Sequence, residues 1–218
     1  MNMNEPCLPL HPSRRRGYGI LELMIGLALV AMLTAGAVHT FRQMRDQQTA
    51  ESQVLQLTQI IQALQKTYGM VGYSGLTSCG VTPYVVPTEL WDPSNTCTTA
   101  PDRSARTLTG GPITFTPINS GANMEIVFGH IPSSQCPYIV SGLQNQADMI
   151  DVSGELRTGT PTPTSQPVYK NVKASGLPVA ADAMAEWCTK EELQSGGATP
   201  TSTVQAASWV NIKFTITR

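Results

Sequence analysis

A basic cluster, a glycine and one carboxylate form the segment of this sequence whose residue types are best suited to chemistry. Three consecutive arginines at 14–16 lead into Gly17, and Glu22 is the single charged residue between positions 18 and 38. As a helix, that stretch would extend roughly 30 Å, about the thickness of the hydrocarbon core of a bilayer. A carboxylate in such a segment costs on the order of 2–3 kcal/mol to insert, so we expect Glu22 to have a cationic partner.

These residues resemble the signature of type IV prepilins, in which a prepilin peptidase cuts after a glycine and the mature chain has glutamate at its fifth residue. In that register, Gly17 ends a leader of residues 1–17, Tyr18 is the first mature residue and Glu22 is the fifth. The family usually has phenylalanine or methionine where this chain has Tyr18, although aromatic first residues occur in the class with longer leaders. The resemblance implies cleavage between Gly17 and Tyr18.

Two other interpretations of the N-terminal segment remain open. Ala35-Gly36-Ala37 matches the small-residue cleavage site of a secretory signal peptide, with the arginines as its basic region. The second alternative is an uncleaved membrane anchor. The charge of Glu22 inside the apolar core, and a helical pattern that continues beyond Ala37, argue against the signal peptide.

The composition indicates an exported protein rich in strands and turns. A length of 218 residues suits one domain with an appended helix. Charged residues make up only 13% of the chain, while threonine, serine, glycine and proline are abundant. Removal of residues 1–17 takes away three arginines and one glutamate, so the mature chain would be mildly acidic. No basic cluster follows Arg16, which argues against a nucleic-acid-binding surface.

The cysteines indicate two disulfides in the mature chain. Five cysteines occur, and loss of the leader removes Cys7 and leaves an even number, for which counting alone allows three connectivities. Glycines and prolines interrupt residues 69–112 so often that we expect a loop region there. Cys79 and Cys97 are the only cysteines in that region, so we expect them to pair. A bridge closing a loop of this size contributes about 3 kcal/mol.

One long helix is predicted over residues 18–69. No proline or glycine occurs between Ala37 and Tyr68, and apolar residues recur at spacings of four and three, typical of an amphipathic helix. We expect residues 18–38 to form its transmembrane and polymerisation part, and residues 70–218 to form a globular head. The expected apolar stripe consists of Ala50, Val54, Leu57, Ile61, Leu64 and Tyr68.

The head is predicted to contain several strands and two short helices. The last strand is the clearest, because its apolar residues alternate with polar ones, which is typical of a half-buried antiparallel strand. We expect its apolar face to lie against the helix stripe. The strand candidates are 113–118, 124–131, 167–173 and 207–217, and the helix candidates begin near Cys136 and cover 180–188.

The order of these elements resembles the C-terminal half of type IVb pilins. Since Cys136 and Cys188 match the two cysteine positions of that family, the resemblance implies a disulfide between them. The implied fold class is α+β, the pilin fold: a long N-terminal α-helix, membrane-spanning and then amphipathic, packed on a C-terminal globular head with an antiparallel β-sheet and short helices. Within the class, the chain is most similar to bundle-forming pilins and to the major pilin of conjugative-plasmid thin pili.

No pattern typical of an enzyme occurs in the sequence. The H-E-x-x-H, C-x-x-C, G-x-S-x-G and phosphate-loop motifs are all absent. We therefore expect no catalytic residue, no metal site, no cofactor and no nucleic-acid binding.

The resemblance implies a structural subunit of a type IVb pilus that serves attachment or cell–cell contact, with conjugation among the roles. Its implied partners are the prepilin peptidase, the pilus assembly machinery of the inner membrane, the membrane itself before assembly, and further copies in a helical filament. By the positive-inside rule, the precursor would span the bacterial inner membrane once, with a cytoplasmic N-terminus and a periplasmic head, before it enters an extracellular pilus. We expect Glu22 to accept the charged amine of Tyr18, its own or a neighbour's.

Three alternatives stay open at this point. A minor pilin or a type II secretion pseudopilin shares the same N-terminus, and abundance in sheared filaments separates these from a major subunit. From another class comes a membrane-anchored adhesin that never polymerises, in which Glu22 would have no role in assembly. A third class is a secreted binding protein, which would lack the helix. Cross-linking through cysteines introduced at 20–35 would separate a polymer from a monomer.

Overall fold

The computed structural model of the chain describes residues 19–99, 101–155, 165–195 and 202–217. The predicted leader and its cleavage site, Gly17 and Tyr18, lie outside the described residues. By internal contacts the chain divides into two compact units, Met1–Met44 and Arg45–Arg218.

A single α-helix, α1 (Gly19–Tyr68), confirms the predicted long N-terminal helix. Its sequence is rich in leucine, alanine, methionine and glutamine, which favour helix, and it contains no proline. Beyond its end, the N–H of Gly72 donates to the carbonyl of Tyr68 at 2.8 Å, with Gly72 at a φ of 92°. Glycine adopts such a positive φ without steric cost, so the chain turns away and the helix stops here.

In the second unit, α1 buries one face in the head. The predicted stripe is buried at Ala50, Leu57, Ile61 and Leu64, whereas Val54 and Tyr68 are only half-buried. Two residues outside the predicted stripe, Gln53 and Ile60, are buried as well. The buried surface is therefore wider than a strict spacing of three and four implies, as is usual for a helix on a globular core.

The main sheet of the head has six strands, all paired antiparallel, in the order β1-β2-β3-β9-β4-β6. The terminal strand lies in its middle: Phe214 of β9 faces Ile126 of β3 on one side and Ile150 of β4 on the other. The strands are β1 (Ala105–Arg106), β2 (Pro112–Ile118), β3 (Asn123–Pro132), β4 (Met149–Glu155), β6 (Lys170–Lys173) and β9 (Trp209–Thr217).

A smaller antiparallel sheet has the order β5-β7-β8, formed by β5 (Ser165–Pro167), β7 (Lys190–Ser195) and β8 (Ser202–Ala206). The single strand predicted over 167–173 is wrong, because the chain leaves one sheet at Pro167 and enters the other at Lys170. Proline has no N–H for a further ladder bond, which suits it to the end of a strand. Strands β1, β4, β7 and β8 were not predicted from the sequence.

The described head also contains three short α-helices, α2 (Ser78–Val85), α3 (Cys136–Leu143) and α4 (Ala181–Trp187), and two single-turn 3-10 helices, Thr88–Leu90 and Asn119–Gly121. Helices α3 and α4 correspond to the predicted short helices. The prediction of a loop throughout 69–112 is wrong, because α2 forms there in spite of Gly80 and Pro83. Val81 and Val85 are buried, so contacts with the core stabilise a helix that its own propensity disfavours.

The hydrophobic core joins α1, the main sheet and α3 in one buried cluster. The predicted apolar face of the last strand is part of it, since Val210, Ile212, Phe214 and Ile216 are all buried. The ring of Phe214 meets that of Phe128 edge to face, with centroids 5.4 Å apart. One face of β9 thereby fixes the centre of the core.

Candidate assembly segment

Glu22 lies in the first turn of α1 and is exposed to solvent. Its neighbours on the helix are large apolar side chains that are equally exposed: Leu21 at 64%, Leu23 at 63% and Ile25 at 55%. A carboxylate near a helix N-terminus interacts favourably with the partial positive charge of the free N–H groups there. Among the described residues, no group pairs with the Glu22 carboxylate, which is therefore an acceptor on an apolar surface for an incoming cation or N–H donor.

The whole N-terminal part of α1 presents apolar side chains outward. From Ile20 to Val38, the large hydrophobic residues are between 79% and 52% exposed. Within the described residues, the most apolar part of α1 is not buried against the rest of the chain. By length and composition, α1 is able to cross a membrane.

Four cysteines of the head form two disulfides. Cys79 of α2 is joined to Cys97 with their Cα atoms 5.8 Å apart, and Cys136 of α3 is joined to Cys188, which follows α4, with a Cα separation of 5.6 Å. The second bridge is completely buried, whereas Cys79 and Cys97 are half-buried. The second bridge therefore ties α4, which has no buried residue within its own bounds, to the well-buried helix α3.

An ion pair organises the loop beside the first disulfide. The Oδ2 atom of buried Asp92 lies 2.9 Å from Nε of Arg106, and its Oδ1 atom accepts hydrogen bonds from the hydroxyl and the N–H of Ser94. The hydroxyl of Ser94, its N–H group and Arg106 stabilise the charged carboxylate more than burial opposes it, so the pKa of Asp92 is lowered.

A second charged cluster crosses three central strands on the face opposite the buried side chains of β9. Nζ of Lys213 lies 3.0 Å from Asp151 on β4 and 3.3 Å from Glu125 on β3. Burial disfavours the charged form of Lys213, but hydrogen bonds and attraction from Asp151 and Glu125 outweigh it and raise the pKa of Lys213. Opposite charges on adjacent strands stabilise this register.

Among the described residues, no group of three or more histidine, cysteine, aspartate or glutamate side chains is placed to hold a metal ion. One concave surface, lined by Gln65, Gln144, Asn145 and Gln146, was not predicted from the sequence. Because separate segments of the chain form it, no local pattern in the sequence marks it.

Comparisons with known proteins bear mainly on the N-terminal segment. Residues 12–38 match the family described as the prokaryotic N-terminal methylation motif. No curated protein sequence matches the chain significantly. Among solved structures, TcpA, a type IV pilin from Vibrio cholerae El Tor biotype, is similar at 15% identity and a TM-score of 0.46, over 78% of this chain and 99% of that one.

The matched segment contains the three arginines, Gly17, Tyr18 and Glu22, which are the residues on which the prepilin resemblance rested. The predicted combination of a long N-terminal helix with an antiparallel head is present in the structure. Residues 12–38 thus carry the prokaryotic N-terminal methylation motif, and the described chain combines a long N-terminal helix with an antiparallel sheet in an α+β architecture.

Proposed function

We propose that this protein is the structural subunit of a type IVb pilus filament that mediates attachment or cell–cell contact, including conjugation. The observation that carries the proposal is that the prepilin motif continues into a helix whose large apolar side chains are exposed from Ile20 to Val38. Apolar surface is unfavourable in water by about 25 cal/mol per Å². Lipid before assembly, and neighbouring helices afterwards, would cover it.

The proposed maturation begins at the inner membrane. The three arginines hold the leader, residues 1–17, on the cytoplasmic side, and the prepilin peptidase cuts between Gly17 and Tyr18. The mature chain then consists of the helix at 18–69, whose part at 18–38 spans the membrane, and of the head at 70–218 in the periplasm. The assembly machinery transfers it into an extracellular helical filament of identical copies.

Glu22 has a specific role in this proposal. Its carboxylate accepts the charged amine that cleavage creates on Tyr18, within one copy or between neighbours. Opposite charges in an environment of low dielectric constant must pair, and breaking such a pair costs roughly 3–5 kcal/mol. A copy that enters out of register leaves both charges unpaired and is rejected, so the pair selects the correct helical register.

The first experiment determines the N-terminus of the mature protein from its native host by intact mass and terminal peptide sequencing. A start at Tyr18 supports prepilin processing. A start at Val38, after the small residues 35–37, would make the protein a secreted one without the polymerising helix. Retention of the arginines would make it an uncleaved anchor.

The second experiment compares Glu22→Gln with Glu51→Gln, the same substitution at an exposed position of α1 outside the apolar segment. Glu22→Gln is expected to abolish or severely reduce filaments while the head stays folded, and Glu51→Gln to leave them intact. Normal filaments in Glu22→Gln would contradict the proposed pairing. Low abundance of the wild-type protein in sheared filaments would instead indicate a minor pilin or a pseudopilin.

A further inference from the structure

An open cavity of about 620 Å³ lies on the head, within the second unit. Four separate segments form it: the C-terminal turn of α1 at Gln65, the turn after α3 at 144–148, the loop after β6 at 173–178, and Thr217 at the end of β9. Its volume falls in the range of roughly 300–1,000 Å³ typical of small-molecule sites. The size and the concave shape suit a ligand of one to three sugar-sized units.

The lining of this cavity is dominated by uncharged amides. Gln65, Gln144, Asn145 and Gln146 all contribute to it. Among the described residues, none of these four side chains makes a hydrogen bond to another group of the protein. Each amide offers two N–H donors and one carbonyl acceptor, so the set can both donate to and accept from neighbouring hydroxyl groups.

The charged groups of the cavity are already engaged. Asp148 accepts hydrogen bonds from the N–H of Thr217 at 2.6 Å and from the Thr217 hydroxyl. The ammonium of Lys173 donates to the carbonyl of Ala147. Among the described lining residues, one carboxylate and one ammonium leave no formal net charge, so the cavity offers an ionic ligand no excess of either sign.

One wall of the cavity is apolar and exposed. Leu177 is 59% exposed and is followed by the exposed Pro178. A turn holds this wall in place, because the N–H of Leu177 donates to the carbonyl of Ala174 at 3.1 Å and Gly176 adopts a φ of 74°. A pyranose ring has C–H faces that pack on such a surface while its hydroxyl edge reaches the amides.

We propose that this cavity binds a neutral saccharide. The inference deepens the proposed function, on which it rests for its biological use: a filament subunit that attaches to a surface needs a receptor site on its head. An open site lined partly by exposed side chains, which must become ordered on binding, binds a single sugar weakly, with a dissociation constant of about 1–10 mM. A filament that repeats the site along its length gains avidity by multivalency.

The test titrates neutral sugars into the full-length mature protein in detergent micelles, with saturation-transfer NMR of the sugar signals. Mannotriose, cellotriose and N,N′,N″-triacetylchitotriose are the neutral probes, and sialyllactose is the acidic probe. At least one neutral probe is expected to bind in the millimolar range. The proposal is overturned if no neutral probe binds, or if sialyllactose alone binds.

The variants locate the site. The double variant Gln65→Ala/Asn145→Ala removes two exposed amides and is expected to weaken binding about fivefold or more, the effect of losing one or two neutral hydrogen bonds. Gln62→Ala is the matched control, an exposed glutamine of α1 that does not line the cavity. An unchanged affinity in the double variant, or an equal loss in the control, would exclude this cavity as the site.

Failure of this inference is distinguishable from failure of the proposed filament function. The double variant is expected to form normal filaments, because its substitutions lie outside the apolar segment. Glu22→Gln protein is expected to bind the sugar with wild-type affinity, because all cavity residues lie in the head. Sugar binding without filaments would reject only the filament proposal, and filaments without sugar binding would reject only the saccharide site.

Discussion

The hydroxyl of Ser78 makes two hydrogen bonds to the backbone of Phe115. It donates to the carbonyl oxygen at 2.9 Å and accepts from the N–H at 2.8 Å. The neighbouring strand β1 pairs only with Pro112 and Ile113, so it ends before it reaches Phe115. The first residue of α2 thereby takes the place of a missing strand residue at this edge of the main sheet.

We expect Ser78→Ala to lower the free energy of unfolding by roughly 1–3 kcal/mol, because it leaves both backbone groups of Phe115 unpaired in a half-buried place. Urea unfolding followed by tryptophan fluorescence measures this. Ser52→Ala is the control, since the hydroxyl of Ser52 is exposed and bonds only within its own helix. Equal stability of the two variants would show that water replaces the Ser78 hydroxyl.

The two disulfides are expected to differ in their reduction under native conditions. Cys136 and Cys188 are 0% exposed, so a reductant reaches their bridge only when the head opens, whereas Cys79 and Cys97 are partly accessible. Dithiothreitol followed by alkylation and peptide mass spectrometry should therefore label Cys79 and Cys97 first. Simultaneous labelling of all four cysteines would contradict this order.

Loss of either bridge is expected to destabilise the head by the loop-closure effect. Their sequence separations are 18 and 52 residues. In the chain-entropy model, removal of these loops costs about 3 and about 4 kcal/mol. Unfolding of the double alanine variants Cys79→Ala/Cys97→Ala and Cys136→Ala/Cys188→Ala measures both. A larger loss of stability in Cys79→Ala/Cys97→Ala than in Cys136→Ala/Cys188→Ala would argue against the loop-closure explanation.

Asp92 is expected to contribute to the acid sensitivity of the head. Hydrogen bonds from Ser94 and attraction from Arg106 lower its pKa in the folded state. The stability that results is present above the unfolded pKa, about 3.9, and is lost as the pH falls through the lower folded value. Asp92→Asn should therefore be less stable than the wild type at pH 7 and lose less stability on acidification.

Free energies of unfolding between pH 7 and about pH 3 measure this dependence. Glu51→Gln, an exposed substitution on α1, serves as the control and should keep the acid dependence of the wild type. If the wild type and Asp92→Asn lose stability in parallel, Asp92 does not contribute.

Alanine substitutions at two glycines with positive φ would distinguish the energetic cost of backbone strain from the cost of a steric clash. Gly75 has a φ of 77° and open space around it, whereas Gly121 has a φ of 87° and a Cβ there would overlap the backbone of Ser74. We expect Gly75→Ala to lower the free energy of unfolding by about 1–2 kcal/mol, because of backbone strain alone. Gly121→Ala should lower the free energy of unfolding by about 1–3 kcal/mol more than Gly75→Ala does. The added Cβ also displaces the hydrogen bond from the N–H of Tyr73 to the carbonyl of Gly121. Equal losses of stability in the two variants, measured by urea unfolding, would show that the clash at Gly121 adds no cost.

Buried Gln53 is expected to limit the stability of the head. It is 3% exposed, and neither Nε2 nor Oε1 has a hydrogen-bond partner in the described part of the chain. Gln53→Met keeps the length of the side chain and removes both polar atoms, so it should raise the free energy of unfolding by about 1 kcal/mol. A loss of stability would instead show that an internal water bonds the amide of Gln53.

Local patterns predicted the elements whose signals lie within one segment. The apolar run from 18 to 38 and the repeat of three and four around Leu57 predicted α1, and the alternation around Phe214 predicted β9. In both cases the period of the apolar residues equals the period of the structure, so no distant contact is needed to recognise it. The pairing of Cys136 with Cys188 came from the family resemblance, since counting left three connectivities open.

Other elements depend on contacts between distant segments and have weak local signals. Strand β4 has two large apolar side chains at its alternating buried positions, Ile150 and Val152, and β9, one of its partners in the sheet, lies about sixty residues further along the chain. Helix α2 contains a glycine and a proline and forms because its apolar side and Cys79 are held by the core and by the disulfide. Tertiary packing overrides propensity in both places.

The sequence by itself determined the N-terminal motif, the membrane-length apolar helix and the position of Glu22 in it, because each depends on residue types within a few turns of one helix. Only the tertiary structure decided that β9 lies in the centre of the sheet, that Ser78 replaces a strand residue beside Phe115, and that Gln65 lines one cavity with Gln144, Asn145 and Gln146. These relationships join residues far apart in the chain, and a residue's neighbours in space follow from how the whole core packs.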